Sequence, residues 1–94
     1  MTEREQIDQI DHEMTVLFTQ RMQLSKKIAA AKFAAKAPVS DRKREEEIIK
    51  NELAKLPNDE LKSYLRDFYR DVFLISKQYQ AKLIKGWRDK NDEN

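Results

Sequence analysis

Between Glu3 and Ala35 the chain contains neither Pro nor Gly, and this stretch constrains the fold more than any other feature. Apolar residues recur at Ile7, Ile10, Met14, Leu17, Leu24, Ile28 and Ala31. Their spacing follows the three-four alternation of a heptad seam, and Arg21 occupies the one seam position that breaks it. A helix of about 33 residues is about 50 Å long at 1.5 Å per residue. A compact domain of 94 residues has a radius of gyration near 12 Å, hence a diameter of roughly 30 Å. The first helix therefore overruns any globule the chain could form alone, and it carries an apolar seam into water, which is unfavourable. The expected remedy is an intertwined two-fold homodimer in which the long helices pair and each chain completes the other's core. Two alternatives stay open. A break near the middle of the helix would give a four-helix monomer, and a plain coiled-coil dimer would be an extended particle.

The rest of the chain reads as two further helices, giving an all-α fold of three helices. Lys36-Ala37-Pro38-Val39-Ser40 ends the first helix, because the residue before a Pro is pushed out of helical geometry. Asp41, or Ser40, can cap a second helix reaching about Leu56, with Ile48, Ile49, Leu53 and Leu56 inward. Pro57-Asn58-Asp59 makes a turn with its own capping residue. A third helix is predicted from about Glu60 to about Lys85. One stripe on it is Leu61, Leu65, Phe68, Val72, Ile75 and Tyr79. Its neighbour is Tyr69, Phe73, Ser76, Gln80, Leu83 and Trp87. Gly86 suits a helix stop. The reading divides the chain into a helical domain over residues 1–86 and a polar, disordered tail over 87–94.

Composition excludes several function classes. Without Cys there is no thiolate metal site and no Cys nucleophile, and His12 alone cannot build a His cluster. No apolar run approaches the roughly 18 residues of a membrane span. The N-terminal MTEREQIDQIDHE lacks the apolar core of a signal peptide, which points to a cytoplasmic location. Lys plus Arg is 19 against 17 for Asp plus Glu, a net charge of +2, too small for bulk nucleic-acid binding. There is no Gly-rich phosphate loop and no set of nucleophile, base and orienter. No metal or organic cofactor is expected.

A few polar residues are nevertheless out of place. Arg21 lies on the seam, where it either snorkels, sets register or serves a ligand. Lys32 follows close to three full turns later, within about 20° of the same direction. Two cations on one half-buried line repel unless an anion sits between them, although two solvated surface cations would look the same in sequence. Arg4 lies about 25 Å along the helix from Arg21 and about 42 Å from Lys32. It is either simply solvated or reaches a site on a partner chain. Asp41 is most simply a cap, and Arg44 and Glu45 edge toward the buried side of the second helix. Ser76 and Gln80 project side by side from an apolar face. A buried carboxamide there must be hydrogen-bonded, by a helix neighbour or by a ligand. Cations, one carboxylate and a carboxamide suit electrostatic stabilisation of a reacting dianion.

The pattern Arg4-x-x-Ile7-Asp8-x-Ile10-Asp11, then Arg21, Lys32, Pro38-Val39-x-Asp41-x-x-Arg44-Glu45 and Ser76-x-x-x-Gln80 resembles the all-helical chorismate mutases. The resemblance spans about Arg4 to Gln80. It implies three helices per chain, an interlocked homodimer with two active sites, and chorismate as substrate. Arg21 would hold one substrate carboxylate and Arg4 of the partner chain the other. Lys32 would contact a carboxylate and the ether oxygen of the breaking bond, to which Gln80 would also donate. Glu45 would accept from the ring hydroxyl, helped by the backbone near Asp41, and Arg44 and Ser76 would complete the wall. Some relatives carry a Glu in place of this Gln and must keep it protonated, so a chain with Gln80 is expected not to require acid.

Two other functions fit the same residues less fully. An isochorismate-pyruvate lyase would use a similar cationic pocket on this scaffold, but the segment Asp41-x-x-Arg44-Glu45 looks more like the mutases. A non-catalytic helical interaction module would have no reason to fill every polar position of the pocket.

Overall fold

The computed structural model of the chain describes residues 1–92 as three α-helices: α1 (Glu3–Ala35), α2 (Arg42–Leu53) and α3 (Lys62–Asp92). Helix α1 is one helix from end to end, so the break required by a four-helix monomer is not there. Its start is fixed by a capping box. The Thr2 side chain accepts from the Glu5 backbone N–H at 3.2 Å, and the Glu5 carboxylate accepts from the Thr2 backbone N–H at 3.5 Å. Its end is a Schellman motif: the Lys36 N–H donates to Phe33 O and the Ala37 N–H to Lys32 O. Lys36 adopts the left-handed conformation, φ 54°, that Gly usually supplies, and Pro38 follows two residues later.

Asp41 caps α2, its carboxylate accepting from the Arg44 N–H at 3.1 Å. The helix stops at Leu53, earlier than the predicted Leu56, because the chain tightens into short turns. The N–H of Lys55 donates to Glu52 O and that of Leu56 to Leu53 O. Asn58 then accepts from the Glu60 N–H at 3.0 Å, the Asx turn expected of that residue. Asp59 receives Lys62 Nζ at 2.8 Å. That hydrogen bond, followed by the ammonium charge, holds the Asp59 carboxyl below its ordinary range. Helix α3 starts at Lys62 rather than Glu60.

The far end of α3 corrects the predicted stop. The helix passes through Gly86 and continues to Asp92, so the segment expected to be a disordered tail is helical as far as the described residues go. Residues 93–94 lie outside them. Gly86 ends a helix only where it turns left-handed, and its φ is not positive here. Trp87 also anchors the extension, its ring 5.7 Å from that of Phe33 on α1.

Both α1 and α2 pack on α3. Ile49, Leu53 and Phe73 form a buried cluster, with Ile48, Leu56, Leu65 and Tyr69 against it. Of the four inward positions predicted for α2, Ile49 and Leu53 are in that cluster and Ile48 and Leu56 pack against it. The contact between α1 and α3 is built differently, from Ser25 and Ala29 against Ser76, Gln80 and Ile84. Arg21–Ser76 and, one turn on, Ser25–Gln80 are both 55 apart in sequence, so the two helices run parallel. The heptad seam is not in this contact. Ile7, Ile10, Met14, Leu17, Leu24 and Ile28 are 47–61% exposed. The radius of gyration is 16.8 Å and the long dimension 57 Å, well beyond the roughly 12 Å and 30 Å of a compact domain this size.

Candidate active site

The polar residues converge where α1 and α3 run side by side. Small Ser25 and Ala29 let the helices approach closely and leave the longer polar groups of α3 to find partners on α1. Arg21 donates to Ser76 Oγ at 2.7 Å, and its guanidinium carbon stands 5.7 Å from the centre of the Phe73 ring. Ser25 Oγ lies 3.5 Å from Ser76 Oγ. One turn further along, Gln80 Nε2 donates to Ser25 O at 3.1 Å. Ser25, Ser76 and Gln80 are all buried. Among the described residues no buried side-chain polar atom lacks a partner. A carboxamide carries two N–H donors, and the bond to Ser25 takes one of them.

Lys32 lies seven residues, about 10 Å, beyond Ser25 along α1. Its ammonium is held at the linker, donating to Val39 O at 2.7 Å. Glu45 of α2 is half-buried and receives Lys77 Nζ at 3.2 Å, an ion pair from α2 to α3. Asp41 is exposed, with its carboxylate committed to the cap, and Arg44 is exposed as well. Arg4 sits exposed in the first turn of α1, four to five turns from Arg21 on the same helix. One chain thus assembles Arg21, Ser76 and Gln80, and sets Lys32 and Glu45 on the elements around them. It does not bring Arg4 to them.

A groove of about 610 Å³ continues from this cluster along the N-terminal half of α1 and α3. Arg21 and Ser76 stand at its C-terminal end, and Met14, Leu17, Phe68 and Val72 are among its walls. No group of three or more His, Cys, Asp or Glu that could hold a metal ion occurs among the described residues. No helix among them is long and apolar enough to cross a membrane.

Three participants had little or no signal in the sequence. Ser25 lies one turn from Arg21, and only its place between Arg21 and Lys32 hinted at it. Phe73 read as a core residue and also carries the Arg21 cation on its face. Lys77 had no signal, because the register between α2 and α3 decides which cation meets Glu45.

The family model described as chorismate mutase type II matches residues 3–81, which takes in all of α1 and α2 and the part of α3 that carries Ser76 and Gln80. The chain belongs to the type II chorismate mutase family. Membership implies an isomerase-type enzyme with chorismate as its substrate. Neither a curated protein nor a solved structure matches the chain significantly. In this chorismate mutase domain the residues that had looked misplaced on physical grounds fall inside the matched segment, Arg4 at one end and Gln80 at the other.

Proposed function

We propose that the chain catalyses the Claisen rearrangement of chorismate to prephenate, without a cofactor, as a two-fold homodimer on the route to phenylalanine and tyrosine. The observation that carries this reading is the cluster of half-buried Arg21 with buried Ser76 and Gln80 inside the segment matched by the family model. The rearrangement breaks the ether C–O bond as a new C–C bond forms within one molecule, and no proton has to move. The protein's tasks are to hold the enolpyruvyl arm folded over the ring and to stabilise charge growing on the ether oxygen.

Arg21 suits a carboxylate, since its planar fork binds one bidentately and the Phe73 face and Ser76 keep it in place. Gln80 offers a neutral donor whose orientation is fixed by Ser25 before substrate arrives. Lys32 supplies the cation toward the ether oxygen and exchanges its bond to Val39 O for the substrate. Glu45 accepts from the ring hydroxyl, and the backbone at Asp41, with Arg44, closes that side. Preorganised donors of this kind are worth about 3–4 kcal/mol in the transition state.

The second substrate carboxylate falls to Arg4 of a second chain. Support for that arrangement is physical. The apolar seam of α1 is about half exposed along its length, and a single chain leaves it in water. Pairing the long helices would cover it and carry each Arg4 to the other chain's site.

The deciding experiment follows chorismate by its ultraviolet absorbance with the parent chain, Arg21→Ala and Gln80→Ala. Prephenate formation by the parent, with losses of about a hundredfold or more in the variants, upholds the assignment. A folded parent that leaves chorismate untouched but releases pyruvate from isochorismate would place it with the lyases instead.

A further inference from the structure

Lys77 follows Ser76 directly on α3, and the roles implied by the family resemblance leave it without one. Its Nζ lies 3.2 Å from Glu45 Oε1, with the Lys77 and Glu45 side chains 34% and 21% exposed. Two further ion pairs, Lys55–Glu52 and Lys62–Asp59, join residues three apart on the surface. Lys77–Glu45 instead ties α2 to α3 beside the candidate site, where partial burial limits screening by salt.

We propose that Lys77 is a positioning residue that makes Glu45 usable against a dianionic substrate. This rests on the mutase reading and goes beyond the roles given above. A pocket that must admit two carboxylates is penalised by a carboxylate of its own. Glu45 is nevertheless the group that accepts from the ring hydroxyl. A cation on one of its oxygens resolves the conflict: it offsets the charge seen by the incoming dianion and fixes the carboxylate's rotation. An ionised carboxylate has two acceptor oxygens. Lys77 takes Oε1, which leaves Oε2 as the acceptor for the hydroxyl. The pair also couples the angle of α2 to α3, the helix that carries Gln80.

The test is a double-mutant cycle of Lys77→Met and Glu45→Gln, with Lys77→Arg as the conservative variant, read as KM and kcat with chorismate beside the melting temperature. Met keeps the length and apolar stem of Lys without its charge. Lys77→Met is expected to raise KM about tenfold and to change kcat less. Lys77→Arg should recover most of that loss. In the Glu45→Gln background, where no carboxylate is left to offset, Lys77→Met should add little. A merely structural role would lower the melting temperature and leave KM in place, and that result overturns the proposal. Equal effects of Lys77→Met in both backgrounds overturn it too. An active parent with unchanged Lys77 variants removes this inference alone, whereas a parent inactive on chorismate removes the mutase reading and this inference together.

Discussion

Gln80 and Ser25 meet across the α1–α3 contact at 3.1 Å, the carboxamide donating to a main-chain carbonyl. A helix backbone does not swing, so the partner of Gln80 is as rigid as the fold itself. The carboxamide is aimed before any ligand enters. Truncating it removes a preorganised donor and leaves the helices in place. Gln80→Ala is expected to lower kcat by about a hundred- to a thousandfold, with the helical circular dichroism spectrum unchanged. A loss below about tenfold in a folded variant would take Gln80 out of the transition state.

The same position gives a pH prediction. A carboxamide does not titrate, so the donor in the parent is present at every pH. In Gln80→Glu the side chain donates only when protonated. An ordinary Glu has a pKa of about 4.3, and burial at this position disfavours the charged form and moves that value up. Activity of Gln80→Glu should therefore be highest in acid and fall as the pH rises through that shifted pKa, while the parent stays flat across the window. Profiles of kcat/KM for both proteins check this. A flat profile for Gln80→Glu would show that the position does not donate during the reaction.

Much of this arrangement is legible before any coordinates, and the parts that are not have physical reasons. Absence of Pro and Gly over Glu3–Ala35 announces an unbroken helix because those residues are what interrupt one. Ile48, Ile49 and Leu53 announce the inner face of α2, and Leu56 the turn after it, because they are large and regularly spaced. The face of α1 that meets α3 is marked instead by Ser25 and Ala29. Small residues permit close approach and leave almost no hydrophobic signature. The large residues of the heptad seam point elsewhere, at 47–61% exposure. Arg21 and Gln80 are conspicuous in the sequence as polar groups in apolar surroundings. Their partners Ser76 and Ser25 follow only from the parallel register of α1 and α3, and Glu45–Lys77 only from the register of α2 on α3.

Gly86 shows how a local signal loses to a tertiary contact. Its φ is not positive, and a Cβ built on it meets nothing within 4 Å. The residue costs α3 backbone entropy without using its freedom. Gly86→Ala should stabilise the protein by about 0.4–1 kcal/mol, raising the melting temperature by a few degrees. Thermal unfolding of parent and variant decides it. A lower melting temperature in the variant would mean that Gly86 turns left-handed in solution and the helix stops there.

Lys36 presents the opposite case, a residue with a Cβ at a left-handed position, φ 54°. Such a conformation costs an L-residue roughly 1–2 kcal/mol, and Gly occupies it freely. Part of the gain from Lys36→Gly is offset by the larger entropy that Gly loses on folding. A net stabilisation of about 0.5–1 kcal/mol is expected, visible in the same thermal scans. Because Lys32 Nζ and Val39 O bridge this corner, chorismate turnover by Lys36→Gly also reports whether a sounder cap keeps Lys32 in place. A destabilised variant would show that the Lys36 side chain contributes more than its backbone costs.

Arg4 supplies the sharpest test of the shared site. It is exposed in the first turn of α1 and far from the Arg21 cluster of its own chain. If Arg4 serves the partner's site, Arg4→Ala and Arg21→Ala inactivate both sites of their own homodimers. A mixed dimer of the two variants behaves differently. One of its sites takes Arg21 from the first variant and Arg4 from the second and is intact, while the other lacks both. Random pairing makes half of the dimers mixed, so an equal co-refolded mixture should recover about a quarter of the parent's activity. If Arg4 acted within its own chain, every site in the mixture would lack one residue and no activity would return. Leu17→Glu, which puts a charge on the exposed seam, should abolish this recovery by keeping the chains apart, with the loss of dimer visible in sedimentation.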